Sequence, residues 1–246
     1  MFINKTLYII KHQKNYISMS FIYKDIEVYI MNKIIKFTDS EVDKVIKFAN
    51  DIKWKHKPIH FMDSRNTVKR NDKELLNAII EGKLAEVAVY KYLKEEFPNK
   101  KITEVDFNIY EVGVCDDGDI KVDGKVISIK SSKPYSSCLM MECERFSEGE
   151  TILVEKKSPP DFVCFVRVES QNTNKYAEIC GFISFDKYWK IKKYIPRGFK
   201  MCKQNAIDYL VNNKSLNQLN NNIGGALLAD NYGIHISKLK DVNILK

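Results

Sequence analysis

One stretch of the sequence, residues 117–130, constrains the fold more than any other. It reads Asp-Gly-Asp-Ile-Lys-Val-Asp-Gly-Lys-Val-Ile-Ser-Ile-Lys, with Asp123-Gly124 between two alternating apolar runs. Both central residues of a two-residue type I′ turn have positive φ angles, and Asp-Gly is among the residue pairs that favour it. We therefore predict a hairpin whose loop is Asp123-Gly124 and in which Ile120 lies opposite Ile127.

The predicted register gives the hairpin two chemically different faces, because side chains alternate along a strand and directly opposed residues share a face. The apolar face carries Ile120, Val122, Ile127 and Ile129 and is expected to pack on a core. The polar face carries Asp117, Asp119, Ser128 and Lys130. Two interpretations of the polar face are open. It is either a solvated surface with an Asp–Lys pair, or a divalent-cation site with Asp119 as oxygen ligand and Lys130 beside the attacked phosphate.

Upstream of the hairpin, the apolar residues of segment 73–97 are spaced for one long buried helix, or for two helices broken near Gly82. The small residues Gly82, Ala85 and Ala88 would let another element approach this helix closely. Glu86 lies beside that surface. It is either a functional carboxylate or a border residue that reaches water or Lys83.

After Lys101 the pattern changes to that of strands. We predict strands at 105–114, 162–169, 176–185 and 231–236, with the second of them central in its sheet, and a helix or ordered loop over 134–150. Helical and strand patterns in one chain predict an α/β protein.

Residues 1–31 show no clean period and are interpreted as an N-terminal extension that is either peripheral or not native to the chain. A segment that resembles a start follows from Met31. In it, the spacing of Thr38 and Glu41 predicts a capping box at the beginning of a helix. We expect residues 32–246 to form a single domain whose N-terminal part, 32–72, is basic.

The chain has 40 Lys and Arg against 32 Asp and Glu, a formal charge of +8, which favours a polyanionic partner. A generally Lys-rich composition would produce the same charge. Two runs, 52–70 and 187–200, mix cations with aromatic residues and suit a phosphate backbone with an occasional stacked base. The candidate DNA contacts in these runs are Lys53, Lys55, Lys57, Arg65, Lys69, Arg70, Lys190, Lys193 and Arg197.

The six cysteines contain no CxxC pair and the four histidines have no zinc-ligand spacing, so a reducing, intracellular setting fits best. Cys164 and Cys180 lie in apolar runs and are expected to be buried. No apolar run is long enough to span a bilayer, and no leader with a cleavage site is present. We expect a cytoplasmic protein that is neither secreted nor membrane-bound.

The order of these features resembles the PD-(D/E)xK nuclease superfamily over roughly residues 73–185. The matching features are a helix with Gly82-x-x-x-Glu86, a strand, and Asp119 on a hairpin opposite Ser128-x-Lys130. The resemblance implies a restriction-endonuclease-like core, in which a central mixed β-sheet is flanked by helices. It also implies Mg²⁺ held by Asp119 and Glu86, with Lys130 positioning the attacking water and stabilising charge on the phosphate.

The sequence departs from the family pattern at Ser128, where Asp or Glu is most common. A hydroxyl is a poor substitute for a carboxylate on Mg²⁺, so the resemblance implies a ligand from elsewhere. Glu144, or else Glu142, stands about a dozen residues after the Lys, as in some restriction enzymes with Ser-x-Lys. Asp117, on the same predicted face, is the nearer alternative.

The expected function is therefore Mg²⁺-dependent hydrolysis of double-stranded DNA, most like that of a type II restriction endonuclease. A homodimer is expected by analogy. Three alternatives are open. The first is a repair, recombination, phage or viral nuclease, such as a resolvase. The second is a DNA-binding relative without catalysis. The third is an α/β protein with an exposed Asp–Lys pair and no nucleic-acid role.

Overall fold

The structure is a computed structural model. It describes residues 9–10, 18–23, 26–30, 33–55, 72–109, 119–143, 146, 159–171, 175–219 and 226–246. Side chains are described within these ranges from residue 33 on, except for those of 53–55.

The described chain contains both helices and strands. The helices are α1 (Asp39–Lys55), α2 (Asp72–Glu96), α3 (Phe185–Ile191) and α4 (Lys203–Ala206), which continues as one π-helical turn over Ile207–Val211. The strands are β1 (Ile9–Ile10), β2 (Ser18–Tyr23), β3 (Ile26–Ile30), β4 (Lys33–Lys36), β5 (Ile120–Val122), β6 (Lys125–Ser132), β7 (Cys138–Glu142), β8 (Phe162–Glu169), β9 (Tyr176–Ser184), β10 (Lys193–Ile195) and β11 (Asn231–His235). Short 3₁₀ turns cover Leu216–Gln218, Ile236–Lys238 and Val242–Leu245.

The largest sheet has five strands in the order β4-β9-β8-β6-β5. It is mixed, because β6 and β8 run parallel while its other neighbouring strands run antiparallel. The sheet β10-β11-β7 and the sheet β1-β2-β3 are antiparallel. The predicted α/β class with a mixed sheet is confirmed, and β8 is the central strand, as expected.

The predicted hairpin is confirmed at its turn and in its register. Asp123 has φ of 49° and Gly124 has φ of 86°, the signs that a type I′ turn requires. Ile120 pairs with Ile127 and Val122 with Lys125. The turn therefore decides which residues of β6 point to each side of the sheet.

Helix α2 covers the face of the sheet on which Ile127 and Ile129 lie. Both isoleucines are buried in one cluster with Leu84 and Ala88 of α2. The helix runs without a break from Asp72 to Glu96, so the single-helix alternative is the observed one.

The opposite face of the sheet is covered by the sheet β10-β11-β7 together with α3. Val163 and Phe165 of β8 are buried there with Leu139 of β7, Ile234 of β11 and Tyr188 of α3. One face of the central sheet thus has a helical layer, and the other has a second sheet and one short helix.

Two predicted segments are wrong in their described parts. Residues 105–109 form no strand, since this stretch is irregular after an isolated bridge at Ile102. Segment 134–150 contains the strand β7, which pairs with β11, where a helix or loop was expected. Its residues Cys-Leu-Met-Met-Glu lack the β-branched side chains and the alternation that mark a strand.

The predicted capping box and the predicted burial of two cysteines are confirmed. The Thr38 amide donates to a carboxylate oxygen of Glu41 at 2.8 Å, and the Glu41 amide donates to Thr38 Oγ1 at 3.3 Å. Cys164 and Cys180 are buried, and burial raises the pKa of both thiols.

In the part of the chain that the structure describes, every helix is too short or too polar to cross a lipid bilayer.

Gly82 and Gly181 offer a matched test of the fold. A Cβ on Gly82 would meet no atom within 4 Å, so the predicted close approach at this glycine is wrong. A Cβ on Gly181, whose φ is +133°, would lie 2.7 Å from the Lys240 carbonyl oxygen. We expect Gly82→Ala to raise the free energy of unfolding by about 0.5–1 kcal/mol, because alanine is the better helix former.

We expect Gly181→Ala to lower the same free energy by at least about 1–3 kcal/mol, because it adds backbone strain and a steric clash. Urea unfolding of both variants beside the parent measures the two changes. Equal effects of the two substitutions would contradict this assignment of the glycines.

Candidate functional site

Ser128 and Lys130 project from the face of β6 opposite to α2, because Ile127 and Ile129 occupy the helix-covered face. In the parallel pairing with β8, Ser128 is in register with Val163 and Lys130 with Phe165. Both polar side chains are half-buried. Lys130 therefore lies in register with Phe165, a residue of the apolar cluster on this face of the sheet.

Asp119 lies at a bend immediately before β5. Its Oδ2 accepts a hydrogen bond of 2.5 Å from the backbone amide of Ile129. The β5–β6 ladder ends at the pair Ile120 and Ile127, so Asp119 is not paired with Ser128 as the extended register predicted. An amide at this place in a hairpin ordinarily bonds the partner backbone. Here the Asp119 carboxylate accepts the hydrogen bond of this amide. Asp119 is therefore held beside Ile129, the residue between Ser128 and Lys130.

Glu86 lies on α2 in an ion pair with Lys83. The distance between Lys83 Nζ and Glu86 Oε2 is 2.6 Å, and both side chains are almost buried. Lys83 also donates to the Asp106 carbonyl at 2.8 Å and lies over the Phe48 ring at 4.9 Å. The pairing with Lys83, one of the sequence alternatives, is thus observed. Glu86 belongs to the helix that covers the sheet face opposite to Lys130.

Asp119 is the predicted metal ligand that the structure places beside Ser128-x-Lys130. A carboxylate that accepts one amide hydrogen bond keeps lone pairs for a cation, and carboxylate oxygen suits Mg²⁺. Asp117 and Glu144 lie outside the described residues, and Glu142 is half-buried on β7. Within the described ranges, no three His, Cys, Asp or Glu side chains are grouped closely enough to hold a metal ion.

A polar cluster that the sequence did not indicate lies where β6 and β8 end. The buried Glu81 of α2 accepts an ion-pair hydrogen bond from Lys133 and a 3.1 Å hydrogen bond from Ser170 Oγ. Glu81 and Lys133 are 52 residues apart, so local spacing carried no signal for this pair. The cluster attaches α2 to the chain that leaves the Lys130 strand.

Arg167 fastens the same region from the β8 side. Its Nε donates to the Ser136 carbonyl at 2.5 Å, and its Nη1 donates to Glu178 Oε2 at 3.1 Å. Arg167 and Glu178 are direct partners in the β8–β9 ladder, beyond an irregularity at Phe165 and Val166. The alternation of side chains along β8 and β9 would have predicted this pair only if the position of the irregularity had been known.

His235 lies at the end of β11 near several cations. Its Nδ1 accepts from the Ser237 amide at 3.2 Å. Burial lowers the pKa of His235 to about 4, and the nearby charges of Arg167, Lys238 and Lys203 add to this effect. The ring is therefore neutral at pH 7 and caps the short 3₁₀ turn that follows.

The predicted DNA contacts in the second basic run are all described. Lys190 on α3 and Arg197 after β10 are exposed. Lys193 Nζ donates to the Tyr209 carbonyl at 2.5 Å and to Asn213 Oδ1 at 2.7 Å. This lysine therefore links β10 to the segment after α4, and Lys190 and Arg197 are the more accessible of the three.

The predicted contacts in the first basic run lie outside the described side chains. Lys53 and Lys55 are in α1, where only their backbone is described. Lys57, Arg65, Lys69 and Arg70 lie outside the described residues.

Comparison of this chain with protein-family models, with curated proteins and with solved structures gives no match.

The depressed pKa of His235 predicts a loss of stability in acid. Unfolding returns its pKa to about 6.5, so the unfolded chain takes up a proton that the folded chain does not. We expect the free energy of unfolding to fall by roughly 1–2 kcal/mol as pH decreases from about 7 to about 4, allowing for the partial exposure of the ring.

The His235→Asn variant isolates this contribution, because asparagine keeps an acceptor at the cap and does not titrate. Urea unfolding at pH 7 and pH 4.5 should show a smaller difference for the variant than for the parent. An identical pH dependence of the two proteins would contradict the prediction.

Proposed function

We propose that this chain is a Mg²⁺-dependent DNA endonuclease with a restriction-endonuclease-like core. The observation that carries the proposal is the hydrogen bond from the Ile129 amide to Asp119. It holds a carboxylate at the residue between Ser128 and Lys130. The carboxylate is thus held beside the strand segment that carries Ser128 and Lys130, and the other face of this segment is formed by the buried Ile127 and Ile129.

Each of these side chains has a role in phosphodiester hydrolysis. Asp119 would hold the metal, which supplies Lewis acidity toward the phosphate and lowers the pKa of a bound water. Lys130 places a positive charge beside the attacked phosphate and orients the attacking water. Its half-buried position strengthens both effects, because a charge is screened less there than in water.

A further carboxylate is required because Ser128 offers only a hydroxyl. We propose Glu144 or Asp117 for this place ahead of Glu86, whose carboxylate is bonded by Lys83 on the helix that covers the other sheet face. The formal charge of +8 and the exposed Lys190 and Arg197 supply affinity for the DNA backbone. A type II restriction enzyme acting as a homodimer is the preferred form, and a repair, recombination or viral nuclease is the alternative.

The decisive experiment uses two substitutions with matched controls. Asp119→Asn keeps an acceptor for the Ile129 amide and removes the charge, and Lys130→Gln removes the ammonium. We expect each to reduce Mg²⁺-dependent cleavage of unmethylated genomic duplex DNA by at least about 100-fold. Binding to the same DNA in EDTA should remain close to that of the parent.

The controls make the same chemical changes at the opposite end of β6. Asp161 Oδ2 accepts from the Val126 amide at 2.7 Å, so Asp161→Asn copies the Asp119 change at the other end of β6. Lys125→Gln removes an exposed ammonium from the same strand. Equal loss of cleavage in a control and its partner would contradict the proposal. Discrete fragments from the parent would indicate a restriction enzyme, and a smear would indicate a repair-type nuclease.

The pair of Glu86 with Lys83 favours a structural role for this carboxylate. We expect Glu86→Gln to lower the free energy of unfolding by about 3 kcal/mol, because Lys83 would remain buried without its counter-charge. Thermal or urea unfolding measures the change. Glu41→Gln is the milder control, because its partner Lys91 keeps about one third of its side chain exposed. If Glu86→Gln left the free energy of unfolding unchanged but abolished cleavage, Glu86 would instead be assigned as a metal ligand.

A DNA-binding relative without catalysis is the second candidate, supported by the same engagement of Glu86. It predicts salt-sensitive binding of DNA by the parent, equal in EDTA and in Mg²⁺, and no cleavage at all.

A further inference from the structure

The turn that follows the Lys130 strand has an exposed aromatic ring at its tip. The Ser136 amide donates to the Lys133 carbonyl at 3.0 Å, so Pro134 and Tyr135 occupy the two central positions. Proline favours the first of these positions, because its φ is already that of the turn. Tyr135 is 81% exposed, against 47% for Tyr194 on β10.

Four contacts hold this turn in place. Lys133 is paired with the buried Glu81 of α2. Arg167 of β8 donates to the Ser136 carbonyl at 2.5 Å. The other two contacts are hydrogen bonds from Ser136 Oγ to the Cys138 carbonyl at 3.3 Å and from the Ile236 amide to the Ser137 carbonyl at 3.0 Å.

A fixed backbone that presents a solvent-exposed ring is preorganised for binding. The ordering entropy of the turn is already lost on folding, so a ligand that stacks on the ring does not bear that cost. Tyrosine is also enriched among the residues that contribute most to interfaces. The four anchoring contacts explain the rigidity of the turn but provide no partner for the Tyr135 ring.

Cations lie close to the same end of the molecule. His235 pairs with Cys138, the first residue of β7. Lys238 ends the 3₁₀ turn whose Ile236 amide donates to the Ser137 carbonyl, and Lys203 begins α4, whose Ala206 is buried in one cluster with Cys138. Both lysines are exposed. The two carboxylates described at the turn, Glu81 and Glu178, are each paired with a cation. The surroundings of the turn are therefore better suited to a polyanion than to a basic or an apolar partner.

We infer that Tyr135 stacks on an unpaired base of a nucleic acid whose phosphates contact Lys238 and Lys203. This inference rests on the nucleic-acid substrate of the proposed function and adds an unpaired base to it, which the substrates of the repair or recombination alternative contain and a plain duplex lacks. Five residues separate Lys130 from Tyr135, which limits the distance between them to about 17 Å of extended chain.

The test is binding of a single-stranded oligonucleotide that carries 2-aminopurine, measured in EDTA so that no cleavage contributes. We expect Tyr135→Ala to weaken binding about tenfold and to abolish the fluorescence quenching that stacking causes, while Tyr135→Phe retains both. Leu228→Ala is the matched control, since it removes another exposed large apolar side chain that lies outside both basic runs, and it should bind as the parent does. Lys238→Ala should reduce the salt dependence of binding by about one unit of slope, and Tyr135→Ala should leave that slope unchanged.

Parent-like binding and quenching by Tyr135→Ala would overturn the inference, as would an equal loss in Leu228→Ala. Equal loss in Tyr135→Phe would also overturn it, because the hydroxyl and not the ring would then be the contact. Unfolding curves of all variants establish that the fold is retained.

The result of the binding test is independent of catalysis. Loss of cleavage in Lys130→Gln with intact Tyr135-dependent binding supports both proposals, and Tyr135-dependent binding by a parent that never cleaves supports this inference alone.

Discussion

The positive φ angles at Asp123 and Gly124 are the constraint on which the central sheet depends. They restrict the turn to these two residues, and the position of the turn fixes the register of β5 on β6. A slip of one residue would exchange the two faces of β6. The isoleucines that pack on α2 would then face the second sheet, and Lys130 would enter the core under the helix. The backbone conformation of two loop residues thus controls both the packing of α2 and the position of the proposed catalytic lysine.

Helix α2 is oriented by charges as well as by apolar contacts. Glu81 and Lys83 are both buried, and an unpaired buried charge would cost several kcal/mol. Each is paired, Glu81 with Lys133 beyond β6 and Lys83 with Glu86 on the helix itself. These pairs connect the helix to the end of the Lys130 strand and to the irregular segment at Asp106. The sequence directed attention to Glu86, whereas the carboxylate that reaches the strand end is Glu81.

The same constraints separate the elements that the sequence could predict from those it could not. Strands β8 and β9 were predicted within one residue of their ends, because long runs of β-branched and aromatic residues leave few alternatives. Strand β7 was missed, because Cys138–Glu142 has no alternating pattern and becomes a strand only by pairing with β11, some ninety residues later. Asp119 was predicted beside Ser128, but its contact with the Ile129 amide depends on where the β5 ladder ends. Periodicity does not specify that end.

The sequence by itself determined the local features: the type I′ turn, the alternation of β6, the capping box of α1 and the helical spacing of α2. These depend on φ angles and on the repeat of side chains along one segment, which a few neighbouring residues fix. Only the tertiary structure decided that Glu86 pairs with Lys83, that Glu81 meets Lys133, and that a second sheet covers the face with Ser128 and Lys130. These arrangements join residues that lie on separate elements or choose between several nearby partners, and burial and charge neutralisation select among them only when the whole chain is folded.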